Sequence, residues 1–160
     1  MKIGVLSDTH SNALPKQLLE DFKSVDLIVH AGDICSIGDL KVLQGLADVA
    51  AVQGNMDEES IRSVFPKKKF INIEDKVLAI YHGEGPSAKV VDFVKHEFDK
   101  EKVDVVVFGH SHRPYNEEFN GVLYFNPGSP NDQVCSPYCS YGILEITKDK
   151  ISGRIIKIEN

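Results

Sequence analysis

Five short apolar runs, each ending on a side chain that can hold a metal ion, constrain this chain more than any other feature. Ile3-Gly-Val-Leu-Ser leads into Asp8 and His10, Leu27-Ile-Val-His-Ala-Gly into Asp33, and Val49-Ala-Ala-Val-Gln-Gly into Asn55. Val77-Leu-Ala-Ile-Tyr leads into His82, and Val103-Asp-Val-Val-Val-Phe-Gly into His110 and His112. Short Val/Ile/Leu-rich stretches bounded by turn residues read as strands buried on both faces. In an open α/β sheet, ligands bind in the crevice beyond the carboxyl ends of such strands. Seven ligand-type side chains from distant segments are therefore expected on one rim.

Between these runs the pattern alternates strand and helix. A strand at Lys2–Ser7 precedes a helix near Leu14–Phe22, in which Leu14, Leu18, Leu19 and Phe22 keep helical spacing. A strand at Asp26–His30, a helix near Ile37–Leu46 and a strand at Val49–Gln53 follow. Phe70–Ile73 and Val77–Tyr81 form a hairpin about Glu74-Asp75-Lys76, because the gap is too short for a crossover helix. Ser87 is the expected N-cap of a helix reaching about Lys100, with Val90, Val91, Val94 and Phe98 on one face. After the strand Val103–Phe108 come tight antiparallel pairs. Glu117–Phe119 and Val122–Phe125 flank Asn120-Gly121, a strong hairpin signal, and Tyr141–Thr147 and Ile151–Ile158 flank Lys148-Asp149-Lys150. No linker or repeat interrupts the chain, so residues 1–160 are expected to form one domain, helices covering both faces of a two-sheet core.

Composition narrows the classes of function. A chain of 160 residues with 42% hydrophobic and 26% charged residues can bury a sizeable core. No apolar run approaches the roughly 20 residues that span a bilayer, and the N-terminus lacks the plan of a signal peptide, so a cytoplasmic protein without membrane contact is expected. The net charge of −6 argues against stable nucleic-acid binding. The one basic run, Lys67-Lys68-Lys69, reads as a solvated strand edge that discourages edge-to-edge pairing. Cys35, Cys135 and Cys139 are an odd number without secretion context, so reduced cysteines are expected.

The donor set then suggests the chemistry. Carboxylates, imidazoles and an amide oxygen make a mixed N/O set suited to Mn, Fe, Ni or Zn, and the absence of a thiolate cage disfavours a structural zinc. Seven ligands exceed one tetrahedral ion and suit two divalent ions sharing one carboxylate, roughly 3.5–4 Å apart as in two-metal hydrolases. Glycines at 32, 54, 83 and 109, beside the ligand residues, allow close backbone approach there.

The segments Gly-Val-Leu-Ser-Asp8-Thr-His10-Ser-Asn12, His-Ala-Gly-Asp33, Gln-Gly-Asn55-Met-Asp57, Tyr-His82-Gly and Gly-His110-Ser-His112 resemble the calcineurin-like metallophosphoesterases. Within them the chain resembles the small, uncapped phosphodiesterases related to the retromer subunit Vps29. The resemblance covers nearly the whole chain and implies a four-layer α/β/β/α sandwich. It implies one metal on Asp8, His10, Asp33 and His112, and another on Asp33, Asn55, His82 and His110, with Asp33 bridging. It further implies that a hydroxide between the ions attacks phosphorus opposite the leaving oxygen, with a small phosphate ester as substrate and no protein nucleophile. Asp33, Asn55, His82 and Asp57 are the catalytic candidates, Asp57 as supplier or relay of a proton, with turn capping or ligand support as its plainer role.

Two departures bear on that mechanism. Many relatives carry a histidine, a proposed acid for the leaving group, where this chain has Met56, and Glu84 stands where close relatives complete His-Gly-His. Without a positioned acid, good leaving groups should fare better than alkoxides. His30 reads as a buried, hydrogen-bonded support and His96 as a surface residue. Asn12, Asn126-Pro-Gly-Ser129 and Arg113 carry both a turn or surface reading and a phosphate-facing one. The alternative to an enzyme is a protein-binding scaffold on the same fold, as the Vps29 resemblance allows, and a nuclease is the weaker third. A homo-oligomer through the Tyr138–Tyr141 region is also open.

Overall fold

Strands buried on both faces need cover above and below, and the chain meets this need with two sheets packed face to face and helices outside them. The computed structural model describes residues 1–10 and 12–159. One sheet contains β1 (Lys2–Leu6), β2 (Leu27–His30), β3 (Asp48–Ala51), β9 (Ser140–Ile146) and β10 (Ile151–Lys157), in the order β10-β9-β1-β2-β3. The other contains β4 (Lys68–Ile73), β5 (Lys76–Tyr81), β6 (Val105–Val107), β7 (Tyr115–Phe119) and β8 (Val122–Asn126), in the order β4-β5-β6-β8-β7. Strands β1, β2 and β3 are parallel, as are β5, β6 and β8, so their carboxyl ends share one rim.

Alternation along each strand divides its residues between two layers of core. Ile3, Val5, Val29, Leu78, Ile80, Val105, Val107, Phe125 and Leu144 point between the sheets. Leu6, Ile28 and Ile143 point outward and meet Leu18 and Phe22 of α1 (Lys16–Phe22) and Leu43 of α2 (Ile37–Gln44). On the far side Ala79, Val106 and Tyr124 are covered by Val90 and Val94 of α4 (Val90–Glu97), with Phe98 beyond it. The result is the expected α/β/β/α sandwich. Among the described residues no helix is long and apolar enough to cross a membrane.

The differences from the sequence reading have local causes. α1 starts at Lys16 because Pro15 is its N-cap. Ser87 does not cap α4: it opens a 3-10 turn, Ser87–Lys89, and its hydroxyl donates to the Ser111 carbonyl at 3.2 Å. A short α3 (Glu59–Arg62), which lacks the length for a periodic signal, follows β3 and buries Ile61 with Leu40 and Ala51. Tyr141 is no part of an exposed dimer patch; it is fully buried edge-on to Phe22, with its hydroxyl donating to Asp21. β4 does form a sheet edge, where Lys68 pairs with Glu97. The three cysteines are free. At Asn120-Gly121 both residues have positive φ, as a two-residue type I′ turn requires.

Phe125 is fully buried between the sheets. Phe125→Ala should lower the unfolding free energy by about 3–5 kcal/mol, read from urea denaturation, because the inter-sheet layer cannot collapse onto the gap.

Candidate metal centre

The site residues occupy strained backbone at the ends of the parallel strands. Asp8, His10, Asp33, Cys35, His110 and His112 all have φ between 50° and 66°, in the left-handed region. Asp and His tolerate that region better than most residues, and it turns the chain sharply enough to aim two side chains two residues apart into one pocket. Backbone bonds tie the turns together. Asp8 N–H donates to the Gly32 carbonyl, His10 N–H to the Asp33 carbonyl and Gly109 N–H to the His82 carbonyl, at 3.0, 3.2 and 3.0 Å. Glycine is obligatory at two contacts: a Cβ at Gly54 would lie 2.1 Å from Asp33 Oδ1, and one at Gly109 would lie 1.9 Å from Ser7 Oγ.

Six of the seven side chains form one continuous cluster around the buried carboxylates of Asp8 and Asp33, and His110 joins it through Asn55. Asp8 Oδ1 lies 3.4 Å from His112 Nε2, 3.9 Å from His82 Nε2 and 4.0 Å from His10 Nε2. Asp33 Oδ2 lies 3.3 Å from His82 Nε2 and 3.8 Å from His10 Nε2, between the two groups of imidazoles. His10 and His112 face each other with their Nε2 atoms 3.2 Å apart. Asn55 Oδ1 lies 3.1 Å from His82 Nε2 and 2.9 Å from His110 Nδ1. Two sets, Asp8-His10-His112 and Asp8-Asp33-His82, have ligand atoms close enough to share an ion.

Hydrogen bonds to the other ring nitrogens fix where three of the lone pairs point. His82 Nδ1 donates to the Ala31 carbonyl at 2.7 Å, His110 Nε2 to the Gly85 carbonyl at 2.8 Å, and His112 Nδ1 to Asp132 Oδ2. His82 Nε2 and His110 Nδ1 are left facing carboxylate or amide oxygens, and His112 Nε2 faces Asp8 Oδ1 and the His10 Nε2 atom. Such an arrangement of acceptors against acceptors is favourable only around positive charge. Asp8 Oδ1 points the same way, for it is buried with no hydrogen-bond partner among the described residues. The residues therefore fit divalent cations.

The electrostatics agree. Burial opposes charge on His82, but its hydrogen bond to Asp33 and the charges of Asp8 and Asp33 outweigh this and hold its pKa up. His112, with the Asp8 carboxylate 3.4 Å from its Nε2 and Asp132 on its Nδ1, is raised to about 9 against its partial burial. Asp33 is lowered despite burial, because His82, the Met56 N–H and His10 all favour its carboxylate.

The remaining candidates have structural places. Asp57 does not face the pocket: its carboxylate accepts the N–H groups of Asp33, Cys35 and Gly54, at 3.1, 2.7 and 2.7 Å, so it clasps two ligand loops and is not placed to hand on a proton. His30 is fully buried, with burial pushing its pKa down to about 3. Its Nδ1 accepts from Gly32 N–H and its Nε2 lies 3.1 Å from Thr9 Oγ1. Asn126 donates to Gly109 O and Ser111 Oγ, and Ser129 donates to Asp8 O, so that loop braces two motifs. Asn12 lies at the rim of the cavity beside His10, while Arg113 and His96 are exposed. Asp132 is the residue that sequence reasoning missed. Burial works against its charge, but N–H groups of Cys135 and Val134 and the His112 ring lower it to about 2. Nothing in Pro130-Asn-Asp132-Gln distinguishes it from an ordinary turn.

Comparison with known proteins points the same way. A calcineurin-like phosphoesterase superfamily domain matches residues 1–149. The chain is 37% identical to a probable metallophosphoesterase of Methanocaldococcus jannaschii, over 99% of this chain and 82% of that one. Among solved structures, a novel archaeal phosphodiesterase superposes with a TM-score of 0.78 at 28% identity, over 98% of this chain and 100% of that one. Vps29 of Chaetomium thermophilum superposes with a TM-score of 0.81 at 16% identity, over 99% and 97% of the two chains, a likeness of fold.

Asp132→Ala should weaken divalent-metal affinity roughly 10–100-fold with the fold intact, measured by titration of the chelator-stripped protein, because His112 loses the partner that orients it. Since a ligand imidazole must be neutral, metal affinity should rise with pH from neutrality to about 9 as His112 gives up its proton; affinity flat over that range would contradict the ligand assignment.

Proposed function

The chain belongs to the calcineurin-like phosphoesterase superfamily, and on that premise we propose that it is a metal-dependent phosphodiesterase with a dinuclear centre. The observation that carries this reading is Asp8 Oδ1, buried, without a hydrogen-bond partner among the described residues, and ringed by the Nε2 atoms of His10, His82 and His112. Asp8, His10, Asp33 and His112 would hold one cation, and Asp33, Asn55, His82 and His110 the other, with Asp33 shared. The place of Asp33 Oδ2 between His10 and His82 supports that sharing. Two divalent cations held there, Mn or Ni foremost, would acidify water and offset the charge that builds on the phosphoryl oxygens.

The chain's own contribution is positioning and charge. Asp132 holds the His112 ring, Ala31 the His82 ring and Gly85 the His110 ring, so little reorganisation is required as charge moves during reaction. Asp57 keeps the Asp33 and Asn55 loops in register and acts as a positioning residue. Met56 N–H donates to Asp33 Oδ1, but its side chain offers no proton. With Met56 in place of a proton donor, the leaving group would depart carrying its own negative charge, which favours aryl over alkyl esters. Ligand completeness at all seven positions favours this reading over a scaffold.

Bis(p-nitrophenyl) phosphate with added Mn or Ni tests the reading. Hydrolysis should vanish on chelation, return on metal addition, and be lost in His10→Ala, Asp33→Ala and His112→Ala. Full activity in all three variants would refute it, as would finding neither metal binding nor turnover in the parent protein.

A further inference from the structure

Two cavities flank the metal centre, and their charges differ. One, of about 280 Å³, runs from Asn55 and His82 out to Arg62, Lys67, Tyr81 and Glu84. The other, of about 340 Å³, runs from Asp8, His10 and His112 to Ser129, Asn131 and Asp132. Arg62 and Lys67 are absent from the ion pairs of the described residues, where the lysine and arginine partners are Lys23, Lys68, Lys76 and Arg154. Arg62 is held in place, since one guanidinium nitrogen donates to the Asn55 carbonyl at 2.6 Å, which leaves its other donors for a ligand. Glu84 is the one carboxylate among the described residues lining this cavity, against the two cations Arg62 and Lys67. The second cavity has no cation among its lining residues apart from the histidines, and it carries Asp132. In a chain of net charge −6, two unpaired cations beside the site form a local attractor for anions.

We propose that the Arg62–Lys67 cavity binds a second phosphate group carried by one arm of the ester, while the cavity that carries Asp132 takes the other arm, which bears no further phosphate. The substrate class is then a phosphodiester with a further phosphate a few bonds from the scissile one, such as an ester of a nucleoside bisphosphate. This rests on the phosphodiesterase reading for the scissile group, but the second phosphate is recognised by residues outside the metal cluster. A guanidinium fork and an ammonium group together match a phosphate dianion in charge and donor geometry.

The test compares thymidine 3′,5′-bisphosphate with thymidine 5′-monophosphate, which differ by one phosphate, by calorimetry on the Mn-loaded protein. The bisphosphate should bind about tenfold tighter, as a charge-assisted contact warrants, and the advantage should shrink as salt is raised. Lys67→Ala should cut the ratio of the two Kd values, and Lys67→Glu should bring it to unity or below; the ratio within each variant cancels any general loss of binding. Equal affinities in the parent protein, or an undiminished preference in Lys67→Glu, would overturn the proposal. Turnover of bis(p-nitrophenyl) phosphate without that preference would remove the subsite and spare the enzyme. The preference without turnover would keep the subsite and remove the enzyme.

Discussion

Left-handed backbone at six residues on the rim is the constraint on which the site depends. Each such residue costs of the order of 1–3 kcal/mol, and it persists only where the surroundings over-determine it. Here the surroundings do so twice. The inter-sheet core fixes the strand ends, and buried polar clasps fix the loops: Asp57 on Asp33, Cys35 and Gly54, Ser129 on Asp8, and Asn126 on Gly109. None of these clasps touches a ligand atom of the cluster. They hold the strained turns, and the turns aim the side chains.

The histidines show the same division between holding and acting. His30, His82, His110 and His112 belong to the same rim, yet their hydrogen bonds give them different tasks. His30 has both ring nitrogens engaged within the fold and burial that keeps it neutral. The other three have one nitrogen tied to a carbonyl or carboxylate and the other turned toward the shared pocket. The tied nitrogen sets both tautomer and ring orientation, so the free nitrogens are held facing the pocket by the fold itself.

Much of this was legible in the sequence because it rests on short-range patterns. Apolar runs ending in Asp8, Asp33, Asn55, His82 and His110 announced the strands and their rim, and Asn120-Gly121 announced its hairpin. What escaped depends on distance in space. α3 has four residues and no period to read, although it places Arg62 at the pocket. Asp132 lies 20 residues beyond His112, in a turn-rich segment whose composition carries no mark of its task. Asp57 was visible as a candidate, but only coordinates reveal that its oxygens are taken by backbone N–H groups.

The place of β1 in its sheet rests on a long-range pairing. β1 lies between β2 and β9, so one of its edges is closed only by pairing Lys2–Val5 with Gly142–Glu145, far away along the sequence. Long-range pairings of this kind close late, since much chain entropy must be lost before they form. The full cluster needs Asp8 and the segment from His110 to Asp132 at once, whereas Asp8, Asp33 and His82 by themselves already make one of its two ligand sets.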